Sequence, residues 1–86
     1  MPEVSRFFGI IIRMYYNDHA PPHLHADYQG EKALFDFSGN ILRGRITSRA
    51  AIRLVREWID AHVSELEHDW GLARAGRGLR PIEPLK

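Results

Sequence analysis

Five histidines occur in the 86 residues, and three of them fall within seven positions, as His19-x3-His23-x-His25. Imidazole nitrogens at such spacing can do two kinds of work. They can hold zinc or another borderline divalent metal, with Asp18, Asp27 or Asp36 adding an oxygen. They can also move protons without a metal, since histidine titrates near neutrality. For the second chemistry the candidate catalytic residues are His19, His23, His25, Tyr15 and Asp36, with an arginine to steady phosphate charge, a workable set for RNA cleavage. A plainer reading stands beside both. In it Asp18 and His19 lock a turn, while His23 and His25 form a polar strand face that contacts a partner.

A second group of residues is basic. Arg49, Arg53 and Arg56 recur at i, i+4 and i+7, so one helix face carries three guanidiniums near its start, and Arg43 and Arg45 precede it. That arrangement suits phosphate, and so a local nucleic-acid-binding patch, with Arg53 a candidate anion contact. The alternative is a solvated face on which Arg53 and Arg56 pair with Glu57 and Asp60.

The elements that must position these groups follow from periodicity. Pro21 and Pro22 make Tyr15–His25 a stiff elbow that cannot be helical. Before it, Met1–Arg6 reads as a short lead discouraged from regular structure by Pro2, and Phe7–Tyr16 as one strand with Phe8, Ile10, Ile12, Met14 and Tyr16 on its apolar face. After it, His23–Gln29 alternates strictly, placing Leu24, Ala26 and Tyr28 inward and His23, His25 and Asp27 outward. Gln29-Gly30 is a tight-turn signal. A two-residue loop there sets Tyr28 against Glu31, Asp27 against Lys32, Ala26 against Ala33, Leu24 against Phe35 and His23 against Asp36, giving His23 a carboxylate neighbour.

Ser38-Gly39-Asn40 marks another turn, and Ile41–Arg45 a short strand weakened by Gly44. Thr47 or Ser48 can cap the helical pattern that runs from Arg49 towards Ala75. Ser64-Glu65-Leu66-Glu67 spells a capping box inside that run and predicts a break near His62–Ser64. The expected fold is α+β: an antiparallel meander of three or four strands, then one or two C-terminal helices packed on one sheet face. Residues 1–76 make a single domain and 77–86 an extended C-terminal tail.

Bulk composition sets limits. With no cysteine, disulfides and thiolate metal sites are excluded. No apolar run approaches the ~20 residues that cross a bilayer, so the expectation is a cytoplasmic protein with no membrane partner. Residues 1–40 carry three basic and five acidic side chains, residues 41–86 nine and six; ten of the twelve basic residues are arginine.

The opening Met1–Ile10, the elbow Met14–Ala26 and the helix segment Ala50–Trp58 together resemble a widespread bacterial domain of unknown function that carries Asp-His-x-Pro-Pro-His-x-His. That motif falls on Asp18, His19, Pro22, His23 and His25, and the likeness runs from Met1 to about Pro84. The resemblance implies a gene pair of toxin–antitoxin type, with this chain the effector, neutralised by a small cognate protein partner; RNA as its target is the expectation from the histidine cluster. A regulatory or adaptor module that docks through its polar sheet face is the rival expectation, and a small metal-binding protein using His19, His23 and His25 the third.

Overall fold

A computed structural model describes residues 3–16 and 18–86. Met1 and Pro2 of the expected lead, and Asn17 of the elbow, lie outside the described residues. The chain forms five strands, β1 (Glu3–Phe7), β2 (Ile10–Arg13), β3 (His23–Tyr28), β4 (Glu31–Asp36) and β5 (Ile41–Gly44), then two helices, α1 (Arg49–Ala61) and α2 (Val63–Arg74). The strands make one antiparallel sheet in sequence order, so the fold is α+β with five strands, one more than the meander expected from sequence.

The additional strand comes from a hairpin hidden in an apolar run. Phe8 and Gly9 both take positive φ (49° and 81°), the signature of a two-residue turn, and Phe7 pairs with Ile10. What reads as a lead and one strand is therefore β1, a turn and β2. Ile10, Ile12 and Met14 stay on the buried face, whereas Phe8 and Tyr16, expected with them, are 59% and 44% exposed. The next hairpin matches expectation throughout: Gln29 and Gly30 form its turn, and all five predicted β3–β4 pairs are present.

Both helices cover one face of the sheet. Leu24, Ala26, Ala33 and Phe35 of the hairpin join Val55, Trp58, Ile59 and Leu66 in a single core, with the Phe7 and Trp58 rings 5.5 Å apart. Ser48 caps α1 by accepting the Ala51 N–H at 3.1 Å. Thr47 is engaged elsewhere, its N–H and hydroxyl both donating to Glu31 at 2.7 Å. The break between the helices falls at His62, whose Nδ1 sits 2.6 Å from Glu65 Oε1; the cap position is thus His62 rather than Ser64. At its far end α2 closes with Gly76 at φ 71°, Arg77 N–H donating to Leu72 O and Gly76 N–H to Ala73 O.

The tail then returns to the body of the protein. Ile82 is buried and its N–H donates to Val4 O at 2.8 Å, placing the segment along the outer edge of β1. Trp58 Nε1–H donates to Glu83 O, and Arg80 N–H to the buried carboxylate of Asp69. Burial pushes the Asp69 carboxyl up, against the pull of that N–H. No helix among the described residues is long and apolar enough to cross a membrane.

Two glycines separate conformational cost from steric cost. A Cβ at Gly44 (φ 84°) would lie 2.3 Å from Lys32 O, whereas one at Gly30 (φ 83°) meets nothing within 4 Å. Gly30→Ala should therefore cost only the left-handed backbone penalty, about 1–2 kcal/mol. Gly44→Ala must also move β4 away from β5, and should cost about 3 kcal/mol or more. Urea unfolding of the two variants checks the difference; equal losses would mean that β5 is not held against Lys32.

Candidate functional site

The elbow folds Asp18 back over the start of β3, where His23 and His25 emerge two residues apart. Asp18 Oδ2 lies 2.8 Å from His23 Nε2 and 3.3 Å from His25 Nε2. The other carboxylate oxygen accepts the His19 N–H at 3.0 Å, which fixes its orientation. On the far side of the ring, His23 Nδ1 lies 2.8 Å from the carbonyl oxygen of Pro21, the second residue of the cis Ala20–Pro21 peptide.

Those distances constrain the protons. A carbonyl only accepts, so His23 Nδ1 carries the hydrogen. Nε2 faces the Asp18 carboxylate at hydrogen-bonding distance, and the same oxygen can accept an N–H from His25.

The surroundings reinforce this. His23 is only 2% exposed although its strand face is the polar one, because α2 brings Trp70 within 5.3 Å of its ring. Phe37 packs edge-on behind Trp70, with ring centroids 6.4 Å apart. Tyr15 stands edge-on to His25 at 4.4 Å and the rings of His23 and His25 are 5.3 Å apart. Burial raises the Asp18 carboxyl, but hydrogen bonding from His25, the charge on His23 and the His19 N–H outweigh it, so its pKa is lowered.

Of the residues singled out from sequence, the structure brings together His23, His25 and Tyr15. His19 is mostly exposed, its ring 5.7 Å from that of His23 and its Nδ1 3.6 Å from Asp18 Oδ1. Asp36 needs correcting. Its Cα opposes that of His23, yet the carboxylate is consumed by its own turn, accepting the N–H groups of Ser38 and Asn40 and the Asn40 amide. Both His23 nitrogens face other partners, so Asp18, not Asp36, orients the ring. Asp27 is likewise committed, to Arg13 beside it on the open sheet face. The donor cluster is therefore Asp18, His23 and His25, their ligand atoms all within 4.8 Å of one another, and not the His19, His23, His25 set expected from spacing. Of the three carboxylates offered from sequence as an added oxygen, Asp18 is the one that reaches the histidines; Trp70 was missed as a site residue.

Arg49, Arg53 and Arg56 lie together along α1 and line an open groove of about 460 Å³ with Ile52. No hydrogen bond or ion pair joins them to the histidines, and none links Arg53 or Arg56 to Glu57 or Asp60 among the described residues. Arg56 instead donates from Nε to Gly39 O at 2.9 Å.

The profile of a domain of unknown function, DUF4160, matches residues 9–71, a span that contains the whole cluster. The chain belongs to the DUF4160 family. No curated protein and no solved structure matches it. The DUF4160 match takes in β2 to β5, α1 and most of α2, so the strand, elbow and tryptophan that build the site all lie inside it.

A carboxyl with a lowered pKa stabilises the fold above its unfolded titration range and loses that contribution as pH falls through its folded value. Asp18→Ala removes this and strands a buried imidazole nitrogen, which should cost about 1–3 kcal/mol near neutrality. The gap from the parent protein should narrow as pH drops through the carboxylate range. Urea midpoints measured across that range test it, and a gap that stays constant would mean the Asp18 charge is not what holds His23.

Proposed function

We propose that Asp18, His23 and His25 form a divalent-metal centre and that the protein acts through it as a metal-assisted hydrolase. The supporting observation is the convergence of Asp18 Oδ2 with two Nε2 atoms at 2.8 and 3.3 Å while the opposite nitrogen of His23 is held by a backbone carbonyl. Tetrahedral zinc with ligands at about 2.0–2.1 Å has ligand–ligand edges of about 3.3 Å, the separation of Asp18 Oδ2 from His25 Nε2; the 2.8 Å to His23 would have to open by about 0.5 Å. A metal-bound histidine characteristically donates its other N–H to a carbonyl or carboxylate, the role that Pro21 fills here. Asp18, His23 and His25 would hold the ion, and a divalent metal there would supply an activated water and polarise a carbonyl or phosphoryl oxygen. Tyr15, edge-on to His25, and the exposed His19 are the polar groups beside the cluster that could meet a substrate.

Metal-free acid–base catalysis by the same histidines fits less well. His23 is sealed from solvent and both its nitrogens are engaged, so it has no proton path to a substrate. The biological setting we attach to the centre is the effector half of a toxin–antitoxin-like pair acting on RNA. Its support is the family resemblance that the motif Asp18, His19, Pro22, His23 and His25 carries, with RNA suggested by the histidine cluster alone. Arrested growth on expression alone, relieved by the neighbouring gene, is the result that setting requires.

The centre itself is tested by titrating metal-stripped, untagged protein with Zn²⁺, Mn²⁺ and Fe²⁺ in a calorimeter. One ion should bind per chain, and Asp18→Ala, His23→Ala and His25→Ala should each weaken it by about a hundredfold or more, whereas His19→Ala should change it by less than about tenfold. Retained affinity in Asp18→Ala, or no binding by any of the three metals, would remove the metal reading.

A further inference from the structure

The two edges of the sheet are treated differently. The edge formed by β1 is covered by the tail through Ile82 and Val4, whereas β5, at the other end of the strand order, has no further pairing among the described residues. All four residues of β5 are exposed, and Ile41 and Leu42 are 37% and 44% exposed. An uncovered strand edge with exposed aliphatic side chains is a ready template for another strand.

The basic groove belongs to the same surface. Arg56 reaches the turn that opens β5, donating to Gly39 O and packing its Cγ 3.2 Å from where a Gly39 Cβ would stand. At the other end the four residues Arg45–Ser48 join the close of β5 to the first turn of α1. Strand and helix face are thus tied at both ends, and each runs about 10 Å, since four strand residues and the two turns from Arg49 to Arg56 have similar lengths. Residues 41–56 contain five arginines and no acidic residue. Arg49 and Arg53, unpaired among the described residues, flank Ile52 in the groove.

We propose that the β5 edge and the α1 groove together form a docking site for an acidic, extended segment of a protein partner. The segment adds to the sheet as a sixth strand beside β5. Its apolar side chains meet Ile41, Leu42 and Ile52, and its carboxylates pair with Arg49 and Arg53. The site shares no residue with the histidine cluster, so it stands whether or not the metal centre does. Carboxylates are favoured over nucleic-acid phosphates because a strand edge offers backbone pairing that only another polypeptide can return, and because aliphatic side chains line the surface between the guanidiniums.

The test uses the full chain and a labelled seven-residue peptide of alternating glutamate and valine, followed by fluorescence anisotropy at several salt concentrations. Saturable binding is expected, weakened by added salt and reduced at least about tenfold by Arg49→Glu/Arg53→Glu. The same peptide N-methylated at alternate residues keeps its charges but loses one pairing edge; of the two N-methylated registers, one should lose binding. Circular dichroism of the double variant confirms that it is folded, and peptide methylation needs no variant at all. Equal binding by both methylated peptides would overturn strand addition. So would no saturable binding by the acidic peptide, binding of a labelled single-stranded RNA in its place, or a β5-mediated dimer in sedimentation that excludes the peptide.

Discussion

The whole site turns on one oxygen atom. Asp18 Oδ2 is shared by two imidazole nitrogens, and the Pro21 carbonyl fixes the hydrogen of His23 on the opposite side of the ring. The same oxygen can accept from His25, so one carboxylate ties both rings of β3 to the elbow. The metal proposed above would engage these same three donors in place of the hydrogens between them. The cluster is thus three convergent polar groups held by a single carboxylate.

Its rigidity has several independent sources. The β3–β4 hairpin sets the spacing of His23 and His25, because strand side chains two apart share a face. The diproline elbow returns Asp18 to them, and the His19 N–H holds the carboxylate by its remaining oxygen. From the helical layer, Trp70 closes over His23 and takes one side of the ring out of water, which strengthens every electrostatic interaction on the other side. Sheet, elbow and second helix each contribute one element, so a defect in any of them loosens the geometry of the others.

How far this was legible in sequence differs from residue to residue. The β3–β4 register could be read in full, since strict alternation and Gln29-Gly30 agree on a single pairing. The β1–β2 hairpin could not, because its turn is Phe8-Gly9 in the middle of a greasy run, and phenylalanine seldom adopts positive φ. The correct register then misled on Asp36: opposed Cα atoms do not oblige side chains to meet, and amides two and four residues along the chain competed successfully for the carboxylate. Asp18 was visible as a polar elbow residue, but its reach back to β3 depends on the path of the elbow, which spacing does not specify. The burial of His23 depends on Trp70, distant in sequence and brought to it only by the packing of α2.

The uneven treatment of the sheet edges follows from the same economy of a small domain. With five strands and two helices, apolar surface is scarce, and the tail gives up Ile82 to complete the core beneath β1. That segment meets the outer edge of β1 through the Ile82 N–H, whereas β5 has no such neighbour among the described residues. Arginines along β5 and α1 discourage a second copy of the chain from pairing there, since its own edge would carry the same sign of charge. They do not discourage an acidic strand. The docking proposed above needs such an edge, favourable to an acidic strand and unfavourable to a basic one, and it lies on residues that the histidine cluster does not use.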